Sequence, residues 1–291
     1  MDSKIYCIGD VHGCYYELRD LLDKIGPGQG DTVYFVGDFL DKGPYGAEVV
    51  RFIRESGFKA VKGNHDEIHI RWRKNELLKL TTGRPNNMRP LKPADAAANA
   101  KLSQEDLEWL KALPHMVQLW PGNFVTQGEG RHWTSFTQHT HWTLVHGGLM
   151  PGVALEQQDL NDVMRLMWVT DEKKFVPVDY AKPELLGYPP KPEAYHWTRK
   201  WDGPSNVVFG HEAFNLTQPL WHVNEATGVE CWGIDTGAVH GGHLTALCLN
   251  TKEIFQVRAR KEYCPVPTYI PSTLGFQQAI GRVHGNRQAR P

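Results

Sequence analysis

The chain has 291 residues, enough to bury a sizeable core in one large domain or two small ones. Hydrophobic residues make up 41% and charged residues 22%, and the net charge is -1, so no global field draws the chain to nucleic acid or an anionic membrane. No apolar run approaches the roughly 18–20 residues of a membrane span. The first residues carry no signal-peptide core, and the five scattered cysteines form no CxxC pair. Reduced thiols in a cytoplasmic protein are the expectation.

Short apolar runs at Ile5–Ile8, 32–36, 58–61, Trp142–Val145 and Asn206–Phe209 read as strands. Between the first two, Tyr15, Leu18, Leu21, Leu22 and Ile25 recur at helical spacing, and Gly26 closes that helix. Between the second and third, Val49, Val50 and Ile53 form the apolar face of another. This alternation predicts an α/β layered domain. Farther on, 67–80 reads as a helix and the proline-containing 81–93 as a loop. Ser103 reads as the N-cap of a helix over 103–113, with an acidic first turn and Pro114 as its stop. We expect 67–141 to be an inserted cap of helix and loop within a domain spanning 1–265. Residues 151–195 should be mostly loop, 232–256 strands again, and 266–291 a partly flexible extension.

A glycine and a metal-binding residue type follow every one of the five strands. The motifs are GDVHG at 9–13, GDFLDKGP at 37–44, GNHD at 63–66, HGG at 146–148 and GH at 210–211. In an open α/β fold the carboxyl ends of neighbouring strands converge on one rim, and glycine lets backbone approach a ligand closely. Asp10, His12, Asp38, Asn64, His146 and His211 can therefore converge. Carboxylate, amide oxygen and imidazole suit a pair of divalent cations, with Mn expected and Fe, Zn or Mg as alternatives. Two such ions can each hold a phosphoryl oxygen and lower the pKa of a water between them. His65, beside Asn64, is the natural proton donor to the leaving oxygen, and Asp41 can hold its imidazole. Each motif alone is weak, since Gly, Asn and Asp also make ordinary turns; five in order, each after a strand, are not.

In this order the motifs resemble the calcineurin-like metallophosphoesterases of the phosphoprotein-phosphatase type, over roughly residues 4–66 and 142–250. The resemblance implies a four-layer αββα β-sandwich. It implies that Asp10, His12 and Asp38 hold one ion and that Asp38, Asn64, His146 and His211 hold the other, with Asp38 bridging. It makes His65 the acid, paired with Asp41, and gives phosphate contacts to Lys42, Asn64 and an arginine for which Arg199 is the nearest candidate. Cys14 and the run IDTGAVHGGHLTAL at 234–247 are similar to bacterial and phage protein phosphatases, polynucleotide kinase-phosphatase modules and symmetrical diadenosine tetraphosphatases. Lys42 stands where an arginine is usual, which substitutes a point charge for a planar fork. An acid at position 41 is usual in the monoesterase branches and usually absent from the symmetrical tetraphosphatases.

The expected activity is hydrolysis of phosphomonoesters, on a phosphoprotein, a nucleotide or a nucleic-acid end, with nucleic acid a partner only as substrate and no membrane partner. Hydrolysis of a dinucleoside tetraphosphate is the alternative. A non-catalytic metal-binding scaffold would show a lost ligand or a lost acid, and neither is lost. Arg71, Trp72, Arg73 and Lys74 spread over different faces of a helix, which favours a solvated surface over a nucleic-acid platform. His132, Trp133, His139, His141 and Trp142 are expected to pack on the domain. Asp235 is expected to fix a turn or a ligand histidine, and His240 and His243 to be structural.

Overall fold

The computed structural model describes residues 3–120, 141–176 and 194–265. The readings placed on His132, Trp133, His139, Pro177, Pro183, Pro189, Pro190, Pro192 and the 266–291 extension fall outside these residues.

Two five-stranded sheets form the centre. The first has the order β13-β12-β1-β2-β3, with β1 Ile5–Ile8, β2 Thr32–Phe35, β3 Lys59–Ala60, β12 His243–Cys248 and β13 Ile254–Arg258. The second has the order β10-β11-β9-β5-β4, with β4 Met116–Leu119, β5 Trp142–Val145, β9 Asn206–Phe209, β10 Leu220–Val223 and β11 Glu230–Gly233. In each sheet three neighbouring strands are parallel, β1-β2-β3 and β5-β9-β11, and antiparallel strands flank them. Parallel strands buried on both faces explain why the sequence runs are continuously apolar rather than alternating.

The two-residue period of a strand still decides which layer each side chain joins. Cys7, Tyr34, Val36 and Leu247 of the first sheet meet Trp142, Leu144, Val208 and Trp232 of the second in one buried cluster. Tyr6, Ile8, Val33 and Phe35 point the other way, onto α1 (Tyr15–Ile25) and α2 (Gly46–Glu55). Val145, Val207, Phe209 and Cys231 face the opposite outer layer. The four expected layers are present. The fourth is built from Trp197 and Trp201 around a 3-10 turn (Trp197–Lys200), the one-turn α6 (Leu160–Val163), and a small sheet of β6 (Trp168–Val169), β7 (Phe175–Val176) and β8 (Tyr195–His196).

Three helices follow β3: α3 Asn64–Thr82, α4 Pro93–Lys101 and α5 Gln104–Ala112. Ser103 caps α5 as expected, accepting from the Asp106 amide at 3.1 Å. Helix α3 starts three residues before 67, directly at the GNHD motif, and α4 lies where no helix was read. The edge strand β4, inside the 67–141 stretch, pairs with β5. Among the described residues no helix is long and apolar enough to cross a membrane, and all five cysteines are unbridged.

Candidate metal centre and active site

The carboxyl ends of β1, β2, β3, β5 and β9 deliver the motif residues to one place. Of seven described non-glycine residues with positive φ, five are here: His12, Asp38, Asp41, Lys42 and His211. Such conformations cost of order 1–3 kcal/mol each and persist where the surroundings over-determine them. Two glycines show how closely the loops pack. A Cβ on Gly63 would lie 2.1 Å from Asp38 Oδ1, and one on Gly210 would lie 2.0 Å from Asp10 Oδ1.

His12 donates its Nδ1 proton to the Leu40 carbonyl at 2.7 Å, which leaves Nε2 as an acceptor. That nitrogen lies 3.6 Å from Asp38 Oδ2 and 4.0 Å from Asp10 Oδ2, and it accepts from Lys42 Nζ at 2.8 Å. Burial and the Lys42 ammonium push the His12 imidazole well below its ordinary pKa, toward the neutral form that binds metals. His146 donates Nδ1–H to the Val36 carbonyl at 2.8 Å; its Nε2 lies 2.8 Å from Asn64 Oδ1 and 3.3 Å from Asp38 Oδ2. Burial lowers its pKa, but the Asp38 charge outweighs burial and lifts it to about 9. Burial likewise opposes ionisation of Asp38, yet the His146 and His65 imidazoles hold that carboxyl well below its usual range. Burial and the nearby Asp235 raise Asp10. The Asp10 oxygens accept the His211 backbone N–H at 3.1 Å, tying β1 to β9 across the sheets.

Ligand atoms of Asp38, His146 and His211 lie within 4.8 Å of one another, as do those of His12, Asp38 and His65. Asp38 belongs to both groups, is 1% exposed, and its Oδ2 has no hydrogen-bond partner. A buried, unpartnered carboxylate oxygen among imidazoles is what a cation would satisfy. The residues present therefore fit divalent cations; their hard and borderline donors suit Mn, Fe, Zn or Mg without selecting one.

His65 stands in the first turn of α3, with its amide donating to Asp38 Oδ1 at 2.9 Å and its Nδ1 2.5 Å from Asp41 Oδ2. The other Asp41 oxygen lies 2.5 Å from His69 Nε2. Burial alone would raise Asp41, but the two imidazole bonds outweigh it and keep the carboxyl ionised. Sequence reasoning missed His69. It also assigned no role to the aspartate of GNHD, whereas Asp66 Oδ2 accepts the Asp38 and Gly63 amides at 2.9 and 3.1 Å and Oδ1 accepts the Phe39 amide at 3.0 Å. The signal was available: an acid in the third helical position commonly reaches back to the amides before the helix. Asp235 fixes a turn, accepting from the Gly237 amide at 2.9 Å. His240 and His243 bond the carbonyls of Cys264 and Leu216. Arg199 is exposed at the 3-10 turn and neighbours His222 on the edge strand β10; none of the cluster contacts described above includes it.

An αββα sandwich with this donor set at its strand ends defines a metal-dependent phosphoric ester hydrolase. Residues 3–215 match the model of the calcineurin-like phosphoesterases, and the chain belongs to that family. It is 27% identical to a symmetrical bis(5'-nucleosyl)-tetraphosphatase of Baumannia cicadellinicola, over 88% of this chain and 93% of that one. It is 28% identical to the protein of the same name in Haemophilus influenzae, over 89% and 98%. The counterpart in Proteus mirabilis is 36% identical over 38% of each chain. A solved structure provisionally named a diadenosine tetraphosphatase superposes with a TM-score of 0.62 at 23% identity, covering 89% of this chain and 95% of that one, a likeness of fold.

Proposed function

We propose that this enzyme hydrolyses dinucleoside polyphosphates, cutting a phosphoanhydride bond of a bis(5'-nucleosyl) tetraphosphate. The observation that carries the reading is the near full-length match to relatives of that name, 88% of this chain against 93% of one and 89% against 98% of another. This replaces the phosphomonoester activity expected from the motifs as the leading reading.

In this proposal Asp10, His12, Asp38, Asn64, His146 and His211 hold two divalent cations, which when bound supply Lewis acidity and an activated water. The protein residues do the rest. Asp38, whose carboxylate accepts the His65 amide and whose own amide donates to Asp66, both on α3, supplies the negative charge between the two positions. Lys42 sits at the rim with its ammonium on His12 Nε2. Its flexible stem lets it leave that lone pair to a cation and meet a phosphate oxygen instead. Asn64 Oδ1, 2.8 Å from His146 Nε2, completes the donor set.

One observation favours a second reading. A phosphoanhydride expels a phosphate oxygen whose pKa is about 6 and which needs no proton at neutral pH. A phosphomonoester expels an alkoxide, which does. The Asp41–His65 pair is built to deliver that proton, so hydrolysis of phosphoserine, phosphothreonine or a nucleic-acid end phosphate is the runner-up. The test is a panel on protein stripped of metal and reloaded with Mn, Mg, Zn or Fe. Diadenosine tetraphosphate, p-nitrophenyl phosphate, a phosphoserine peptide and a 5'-phosphorylated oligonucleotide are compared by kcat/KM. Preference for the tetraphosphate with release of ADP is expected. Preference for a monoester would overturn the first reading in favour of the second, and no turnover with any metal would sink both.

A further inference from the structure

His69 lies one helical turn beyond His65 on α3 and is fully buried, at 0% exposure. No step proposed above uses it. Its Nε2 meets Asp41 Oδ1 at the same 2.5 Å at which His65 Nδ1 meets Asp41 Oδ2, so each oxygen of one carboxylate is taken by one imidazole.

The far side of the His69 ring fixes its tautomer. Nδ1 lies 3.1 Å from Asn99 Nδ2, an amide nitrogen that only donates. His69 Nδ1 must accept, and its proton must sit on Nε2, facing Asp41. The Asn99 amide is oriented in turn: its Oδ1 accepts from Arg73 Nε at 2.9 Å, and its Nδ2 also donates to the His69 carbonyl at 3.1 Å. Arg73 Nη2 donates to the Asn99 carbonyl as well. The donors run in one direction, from Arg73 to Asn99 to His69 to Asp41. Asn99 belongs to α4, and the same helix holds the backbone of the next residue, Asp95 Oδ1 accepting the Lys42 amide at 3.3 Å. Asp41 itself sits at φ 70°, in a loop that has no regular structure to steady it.

We propose that His69 is a positioning residue for proton donation: it clamps the second oxygen of Asp41, which holds the His65 imidazole on aim, and α4 through Asn99 keeps His69 a donor. The proposal rests on the second reading above, in which His65 is the acid that protonates an ester leaving group. A carboxylate held at one oxygen only is free to rotate, and His65 rotates with it.

A lost aim costs most where the leaving group most needs a proton, which gives a readout that general loosening of the fold does not move. In His69→Leu, kcat on phenyl phosphate should fall about 10–100-fold. The loss on p-nitrophenyl phosphate, whose leaving group is far less basic, should be much smaller, with KM and metal content unchanged. His69→Gln, whose side-chain amide can donate at the Nε2 position, should recover most of the loss. Side-chain nitrogen NMR of the diamagnetic Mg- or Zn-loaded protein should show His69 as the Nε2–H tautomer in wild type and mixed tautomers in Asn99→Leu. An equal loss on both esters, a glutamine variant no better than the leucine one, or an Nδ1–H tautomer in wild type would overturn the clamp. Wild type inactive on both esters with every metal would overturn the acid role of His65 and the proposal with it. The tautomer spectra report on the clamp separately from that reading.

Discussion

The Asp38 carboxylate shows how one residue can carry a site. Its Oδ1 accepts the His65 amide, its own amide is pinned by Asp66, and its Oδ2 is buried with no hydrogen-bond partner. A buried oxygen without a hydrogen bond costs about 1–3 kcal/mol, even with the His146 imidazole 3.3 Å away, and a cation bound there would remove that cost. Asp38→Asn replaces one charged oxygen with an amide and should lose at least one metal per chain by elemental analysis; two metals retained would remove Asp38 from the bridging role. His65→Asn should instead keep its metals while kcat on a monoester falls by about 10²–10⁴, and full turnover would remove His65 as the acid. At this scale the sequence is legible in where the motif residues lie: Asp10, His12, Asp38, Asn64, His146 and His211 each stand beside a glycine at the end of a strand, and the fold brings those strand ends together. His69 and Asn99 are illegible for a physical reason. Each acts through a partner 28 or 30 residues away in sequence, and a buried histidine on a helix looks the same whether it packs or clamps.

Between residues and the whole lie the strand ends, where backbone meets ligand. Gly63 closes β3 against the β2 loop so tightly that a Cβ would sit 2.1 Å from Asp38 Oδ1 and 2.3 Å from the Asp38 amide nitrogen. Gly63→Ala must push the carboxylate aside, so metal content and activity should both drop. Gly83, at the left-handed end of α3 with nothing within 4 Å of its added Cβ, is the control. Gly83→Ala pays only the strain of an alanine in that conformation, about 1–2 kcal/mol, and should keep its metals. Equal metal loss in both variants would mean that the Gly63 effect is generic instability. The strands and the first two helices are legible because their apolar residues recur at period 2 or 3.6. Helix α4, with the sequence PADAAANAK, is not: one three-residue alanine run and polar neighbours give no apolar stripe, and its one buried helical residue is the asparagine that orients His69. The short segments of the fourth layer are missed for a related reason. Trp197 and Trp201 bury large area from a 3-10 turn, where no period longer than one turn exists to be read.

Across the whole molecule the proposed ligands divide between the two sheets. Asp10, His12, Asp38 and Asn64 follow strands of the first; His146 and His211 follow strands of the second. Without a cation, the direct ties between them are the Asp10 bond to the His211 amide and the contacts of His146 with Val36, Asn64 and Asp38. Cations shared by both sets would bind only where the sheets are correctly docked, and a ligand that binds the native state alone stabilises it by mass action, by about 2.7 kcal/mol at a hundredfold excess over Kd. For a chain of this size that corresponds to a rise in melting temperature of roughly 5 °C or more. Protein stripped by a chelator should melt correspondingly lower, and titration with Mn should restore the temperature progressively with concentration. Asp38→Asn should respond weakly, because the group common to both positions is gone. An equal response in Asp38→Asn, or no response in wild type after verified removal of metal, would show that the ions do not join the sheets. The sheets would then be joined at this rim by the direct contacts alone, and beneath it by the apolar cluster that includes Cys7, Val36, Leu144 and Val208.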